Sequence, residues 1–586
     1  MKLKRWLPCI DWAASYDRAT AGKDGLAAVI VTLMLIPQSL AYAMLAGLPP
    51  ITGLYASIAP LVLYAIFGSS RTLAVGPVAV ISLMTAAALA PMFAAGSAAY
   101  IGAAMLLAAL SGLILLLMAV MRLGFLANFL SHPVISGFIS ASGILIALSQ
   151  LKHILGVQAD GQTVLQLLPS LAAQLPAINA PTLVIGGLCL LFLQLVRTRL
   201  KGLLLALGLS SGWADSLTKT GPVLTIIVSV LAVTLFNLAD SGVRVVGSVP
   251  EGLPVLQLPT MDLQLAMQLL PAALLISLVG FVESVSVAQT LAAKRRERID
   301  PNQELVGLGT ANIAAAISGG FPVTGGFSRS IVNFDAGART PMAGILTAVG
   351  IAITALFFTP LFHNLPHAVL AATIIVAVLS LVDLASLKRT WRFSKQDFIA
   401  QAATMVGVLF MGVEIGIMLG VGLSLLLFLW RTSRPHMAVV GQLPGSEHFR
   451  NIERFAVVQS DSVVSLRVDE SLYFPNARYL EESITQLLVD YPNCKNLVLM
   501  CSGVNLIDAS ALDSLEAIVE RLKVAGVQLH LSEVKGPVMD QLRRSEFLQH
   551  FGGQVFVSQY AAMQVLDASS VAKAARVNEL VQFDLR

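Results

Sequence analysis

From about Gly25 to Trp430 the chain is a succession of apolar stretches separated by short polar breaks. Most are long enough to cross a bilayer, which takes about 20 residues per helix. The pattern predicts spans near 25–46, 53–68, 77–91, 99–121, 132–150, 181–197, 221–238, 270–292, 303–319, 328–336, 342–360, 365–382, 397–412 and 413–430. The third, the tenth and the last four are short or crowded. Residues 1–24 read as a cytoplasmic N-terminal segment; Met1 to Thr20 lacks the layout of a cleaved signal peptide, so the first span serves as an uncleaved insertion signal. From Arg431 charge reappears, with a linker over 431–450 and a folded domain over 451–586. In that tail Val463–Val468, Leu497–Cys501 and Val527–Leu531 read as strands. Ala477–Asp490 and Ser510–Ala525 carry helical apolar spacing, which gives a small α/β layer.

Composition narrows the classes. The chain of 586 residues is 56% hydrophobic and only 12% charged, about half the charge of a soluble domain. A soluble multidomain enzyme and a disordered chain are both excluded. A net charge of +4 is too balanced for a nucleic-acid binder. Cys9, Cys189, Cys494 and Cys501 are scattered and suggest neither a disulfide scaffold nor a metal site. Charge placement orders the spans. Loops after even-numbered spans hold Arg71, Arg122, Arg197, Arg199, Lys201, Lys219, Lys294, Arg295, Arg296, Arg298, Arg339, Lys388, Arg389, Arg392 and Lys395, whereas loops after odd-numbered spans hold only Lys152 and Arg244. By the positive-inside rule the even loops, and with them both termini, face the cytoplasm.

Two regions break the apolar rhythm with Gly, Pro and hydroxyl residues: GSSRTLAVGPVAVISLM (Gly68–Met84) and SGGFPVTGGFSRSIVNFDAG (Ser318–Gly337). Each reads as an extended piece followed by a half-length helix, starting near Pro77 and near Ser328. Pro77 suits a first helical turn. Open backbone in hydrocarbon survives only where it is buried or lines a cavity, and a helix N-terminus offers N–H donors and partial positive charge to an anion. Interrupted spans at corresponding positions of two halves point to a transporter's binding site. Here they are the third members of two seven-span halves. Seven is odd, so the halves are inverted and the half-helices face each other at mid-membrane.

Three motifs in order, PQSLAYAMLAGLPPITGLYAS (Pro37–Ser57), VGPVAVISLM (Val75–Met84) and GGFSRSIVN (Gly325–Asn333), resemble the signatures of the SulP anion transporters, the family known in animals as solute carrier family 26. The tail resembles the family's STAS domain through CSGVNLIDASALDSL (Cys501–Leu515). The resemblance implies a seven-plus-seven inverted-repeat helical membrane fold with core and gate domains, an elevator motion, a homodimer and a cytoplasmic α/β STAS domain. It also implies that Gln38 and Tyr42, one helical turn apart on the first span, line the anion site. Val78 matches a position that is often aromatic in the family, and its N–H and that of Ala79 are candidate donors. Phe327, Ser328 and Arg329 match the tenth-span side of the site: three N–H groups, a hydroxyl and a fixed positive charge. The bland alternative for Arg329 is an ion pair with Glu283, since an intramembrane Arg needs a partner.

Glu283 stands in an otherwise apolar eighth span, where an ionised carboxylate is costly, and the family's proton-coupled members carry an acid there. It is the candidate proton-coupling group. Ser510 matches the serine that related anti-sigma antagonists have phosphorylated, although Asp508 or Ser510 as a helix cap is the plainer reading. His132, His363, His367 and Glu414 read as interfacial structure. No GxxxxGK[ST] loop supports ATP-driven transport, and no cofactor, metal or catalytic constellation is expected. The sequence thus predicts an inner-membrane secondary transporter of sulfate, a C4-dicarboxylate or another small anion, coupled to protons, with a protein partner at the STAS domain. Sodium-coupled bicarbonate symport, anion exchange, a channel-like member and a nucleobase permease are the rivals.

Overall fold

The computed structural model describes residues 7–128, 131–208, 218, 221–259 and 262–576. Lys219, one of the basic loop residues, lies outside them. The chain divides into two units, one ending at Ser424 and one beginning at Leu425.

The helices that form the apolar stretches are α1 (Arg18–Leu45), α2 (Pro50–Tyr55), α3 (Ala59–Phe67), α4 (Ala79–Leu89), α5 (Ala98–Val120), α6 (His132–Leu155), α7 (Ala180–Leu195) and α8 (Gly221–Leu235), followed by α9 (Leu263–Arg295), α10 (Pro301–Ile317), α11 (Phe327–Asp335), α12 (Met342–Phe357), α13 (His367–Leu379), α14 (Lys395–Met411) and α15 (Val413–Ser433), the last running across the boundary between the units. Two-residue strands β1 (Val75–Gly76) and β2 (Thr324–Gly325) precede α4 and α11. Each apolar segment read from the sequence contains a helix. Among the described residues seven helices are long and apolar enough to cross a membrane, counting Pro50–Phe67 as one. Local signals set the ends. Asp17 caps α1 by accepting from the Thr20 N–H at 2.8 Å, and Asp300 caps α10 with Pro301 at its first position. Gly156, in the left-handed region at φ 72°, ends α6.

The helices pack as two sets: α1–α5 with α9–α12, and α6–α8 with α13 and α14. The first set draws the same members from both halves of the chain, spans one to four and eight to eleven, as an inverted repeat requires. With no hydrophobic drive between helices in lipid, small residues decide how closely they approach. At the α5–α10 crossing a Cβ on Gly112 would lie 2.9 Å from the Gly309 carbonyl oxygen, so the backbones touch. Buried hydroxyls tie α5 to α9, with Ser111 and Ser277 at 2.9 Å.

The second unit is an α/β domain. Its strands β3 (Met437–Gln442), β4 (Phe449–Asn451), β5 (Val463–Val468), β6 (Asn496–Met500), β7 (Gln528–Ser532) and β8 (Val555–Phe556) form one sheet in the order β4-β3-β5-β6-β7-β8. β5 through β8 are parallel, with Leu466 opposite Leu499 and Leu499 opposite Leu531. Helices α16 (Ala477–Asp490) and α17 (Ala509–Val524) supply the crossovers, and Leu480, Ile484, Leu515 and Leu522 bury their apolar faces over the sheet. The linker expected over 431–450 is corrected: α15 runs to Ser433, β3 pairs with β5, and β4 starts at Phe449. Pro435 stops the helix, because the residue before proline is pushed out of helical geometry, and the apolar run that follows joins the sheet.

Candidate functional site

The two broken regions meet. β1 and β2 pair antiparallel, with Val75 opposite Gly325 and Gly76 opposite Thr324. Each strand enters its helix within three residues, so α4 and α11 leave a common point in opposite directions. α4 starts at Ala79, later than the start near Pro77 read from the sequence, because Val78 is still extended (φ −131°, ψ 152°) as its cap. Neither Val78 nor Gly326 gives a side-chain cap, so the first-turn N–H groups of both helices have no side-chain acceptor. At its other end α11 is held by Arg295, which donates to the Ala338 carbonyl at 2.6 Å and stacks over Phe334 at 4.3 Å.

Side chains the sequence reading did not single out satisfy the open backbone between the helices. Asn312 accepts from Val323 N–H and donates to Val323 C=O, both at 2.9 Å. Ser284 accepts from Gly325 N–H at 2.8 Å and bonds the Thr324 hydroxyl at 2.7 Å. Ser330 accepts from Ala74 N–H at 2.9 Å, and Gly326 N–H donates to Ala74 C=O at 3.0 Å. A lone amide or hydroxyl in an apolar span was the available signal; their partners were not readable.

Arg329 follows on α11 and is only 2% exposed. Its guanidinium lies against the strand pair in space left by two glycines: a Cβ on Gly76 would sit 2.6 Å from Nη1, and one on Gly326 2.7 Å from Nε. Nη1 and Nη2 are buried with no hydrogen-bond partner. No hydrogen bond or close ion pair joins the guanidinium to Glu283 among the described residues, although Glu283 and Tyr42 lie near enough to interact with its charge. Glu283 instead lines a narrow apolar crevice with Val134, Ile135, Phe138 and Ile139 of α6, Val279 and Val282 of its own helix, and Ile417. No hydrogen bond or ion pair reaches it among the described residues.

A cavity of about 280 Å³ brings Gln38 of α1 and Ser328 of α11 together, with Met34, Pro37, Val332 and Thr373 in its wall and exposed Arg197 and Ser380 at its rim. Tyr42, 8% exposed, packs one turn deeper in the same apolar cluster as Ala79. Val78 is buried, and Phe327 is 43% exposed. The cavity wall includes neither of these nor Arg329 or Glu283.

Two further buried carboxylates escaped the sequence reading. Glu304, fully buried at the start of α10, accepts from the Tyr64 hydroxyl at 2.7 Å, Ser69 N–H at 2.8 Å, the Ser69 hydroxyl at 2.7 Å and Ser70 N–H at 3.0 Å. Asp24 of α1 accepts from Arg339 N–H at 2.6 Å and Thr340 N–H at 3.2 Å. Each acid thus fastens a segment flanking one half-helix to a helix of the other half. Glu304→Gln replaces an acceptor by a donor facing other donors, at about 1–3 kcal/mol for each group left unpaired. The expected result is a thermal midpoint lowered by a few degrees, together with weaker anion affinity; an unchanged midpoint by scanning fluorimetry refutes the clamp.

In the second unit Ser510 is exposed in the first turn of α17, which Asp508 caps by accepting from Ala511 N–H at 2.9 Å. Burial pushes the Cys501 thiol up to about 12, so it is no reactive thiolate at neutral pH.

Comparison with known proteins bears on the family and the fold. Residues 22–404 match the model of the sulfate permease family, and residues 454–562 match the STAS domain. The chloroplastic sulfate transporter 4.1 of Arabidopsis thaliana is 36% identical over 583 residues, covering 96% of this chain and 84% of that protein. High affinity sulfate transporter 2 of Stylosanthes hamata is 33% identical, covering 93% and 84%. The structure of murine solute carrier 26 family member A9, in its inward-facing state, superposes with a TM-score of 0.86 at 23% identity over 96% of this chain and 94% of that one. The transmembrane domain of the cyanobacterial bicarbonate transporter BicA gives a TM-score of 0.59 at 22% identity over 70% of this chain and 99% of that one.

Proposed function

The chain belongs to the sulfate permease family, a family of multi-pass membrane transporters and not of enzymes, and from that premise we propose that this anion transporter takes up sulfate, coupled to protons, by an elevator motion. The relatives named as sulfate transporters, at 33–36% identity over nearly the whole chain, support the substrate. The observation that carries the site is the Arg329 guanidinium, buried with no hydrogen-bond partner for Nη1 or Nη2 beside two helix N-termini that lack side-chain caps. A buried cation is costly unless something pairs with it; a small oxyanion supplies that pair, and the free N–H groups of α4 and α11 supply the remaining donors. Gln38 and Ser328 then stand where the anion enters from the cavity.

The division into two packed sets supports the elevator reading: α1, α4 and α11, which carry the donors, belong to one set, and α6–α8 with α13 and α14 form the other. The cavity rim at Arg197 and Ser380 lies at the ends of the sixth and twelfth spans that the sequence reading places toward the cytoplasm, which supports an inward-open reading. Coupling follows from energetics. Moving one charge against 100 mV takes about 2.3 kcal/mol, so a dianion entering a negative interior opposes about twice that. Glu283, on the face of α9 toward the second set, is the group proposed to carry the compensating proton.

Uptake of labelled sulfate, bicarbonate and succinate into proteoliposomes, with and without an imposed inward proton gradient, tests the reading. Sulfate is expected to accumulate only with the gradient. Accumulation of bicarbonate driven by sodium, or of neither inorganic anion, refutes it.

A further inference from the structure

Helices α7 and α8 enclose two spaces, one on each side. Their inner side, through Leu193, Val196, Arg197 and Pro222, forms part of the wall of the anion cavity. Their outer side holds an apolar groove of about 390 Å³, lined by Ile185, Leu188, Phe192 and Leu195 of α7 and by Leu224 and Val228 of α8, among others. Much of this lining is exposed among the described residues: Leu188 is 61% and Val228 64% exposed. From Ile185 to Leu195 the groove runs about 15 Å at 1.5 Å per residue, half of the roughly 30 Å hydrocarbon thickness. It therefore spans one leaflet. Four residues beyond Leu195, within a π-helical turn at Val196–Leu200, Arg199 is exposed, with no hydrogen bond or ion pair among the described residues. Arg197 and Lys201 flank it, and the Arg197 Nη1 is already engaged by the Val376 carbonyl at 2.8 Å.

We infer that this groove is a binding site for one anionic phospholipid, an acyl chain lying between α7 and α8 and the headgroup phosphate on Arg199. The apolar length fits one chain of one leaflet. The exposed guanidinium beyond the groove's apolar lining complements a phosphodiester, and basic residues at the membrane surface draw anionic lipid by about a fivefold preference each. Only one helix pair separates this lipid from the anion cavity. An occupied groove therefore props α7 against α8 and sets the width of the cavity on their other side, so transport depends on the lipid. That consequence rests on the anion-transport reading; the binding itself does not.

Native mass spectrometry of the full chain, purified in detergent and offered equal amounts of phosphatidylglycerol and phosphatidylcholine, tests the site. Phosphatidylglycerol is expected to be retained preferentially. Arg199→Gln is expected to lower that preference about fivefold, and Leu188→Trp, which fills the groove at an exposed position, to abolish retention without touching the charge. Sulfate uptake by the wild type is expected to be faster in vesicles containing phosphatidylglycerol, and Leu188→Trp to lose that gain. Equal retention of the two lipids, an unchanged preference in Arg199→Gln, or unchanged retention in Leu188→Trp overturns the inference. So does a disulfide-linked dimer formed by Leu188→Cys, which assigns the groove to a second copy of the chain. Loss of uptake in every lipid with retention intact counts against the transport reading and leaves the lipid site standing.

Discussion

Arg329→Gln is expected to raise the half-saturating sulfate concentration at least about thirtyfold, from the roughly 2–5 kcal/mol that truncating one member of a buried charge pair costs. The sign of its effect on stability separates a binding role from a structural one. Nη1 and Nη2 have no hydrogen-bond partner, so replacing the guanidinium by an amide breaks no hydrogen bond and removes a costly buried charge, losing only its attraction to Glu283 and Tyr42 at a distance. Without anion, the variant is expected to melt at or above the temperature of the wild type. With saturating sulfate the order reverses: the wild type gains about 2.7 kcal/mol at a hundred times the dissociation constant, and the variant gains almost nothing. Scanning fluorimetry with and without sulfate reads both. A variant that melts well below the wild type without anion, and is still stabilised by it, makes Arg329 part of the scaffold.

The second large effect concerns coupling. Glu283→Gln is expected to abolish sulfate accumulation driven by a proton gradient while sparing exchange of internal for external sulfate. The amide keeps the size and polarity of the protonated acid but cannot lose a proton. In the wild type, uptake rises as external pH falls, since the inward step carries the proton with the dianion; in the variant the pH dependence flattens. The crevice around Glu283 is apolar, and among the described residues no hydrogen bond or ion pair reaches the carboxylate, Arg329 being an opposite charge nearby but out of contact, so a charged carboxylate there is expensive and a proton relieves the cost. Exchange and net uptake measured in the same vesicles separate this from simple damage to the site. Loss of both refutes the assignment, as does retention of gradient-driven accumulation.

Much of the membrane unit was legible because crossing a bilayer demands long apolar runs and because the breaks at Gly68–Met84 and Ser318–Gly337 violate that demand twice at corresponding places. What holds the breaks was not legible. β1 and β2 are two residues each, too short for a period-two pattern, and their pairing joins positions 75 and 325. Glu304 reads in sequence as an acid in the first turn of a helix, a common placement near a positive dipole end; its partners at Tyr64, Ser69 and Ser70 lie more than 230 positions away. Gln38, Tyr42, Val78, Ala79 and the 327–329 triplet were found by resemblance, and periodicity alone would have placed them on apolar helix faces. In the tail, β5 to β7 announced themselves as apolar runs, whereas β3 was hidden behind Pro435 and adopted its sheet position through partners on β5 and β4.

The joint between β1 and β2 also fixes when in synthesis the protein can become whole. Val75 has no strand partner until Gly325 has been made, and the ribosome takes roughly 12–50 s to cover the residues between at about 5–20 residues per second. Until then the open backbone before α4 sits in the bilayer without the second half that satisfies it, and the helices between must be inserted and held nearby. Assembly of the site is therefore a late step, and slowed translation or early termination within the second half leaves a first half with nothing to close upon.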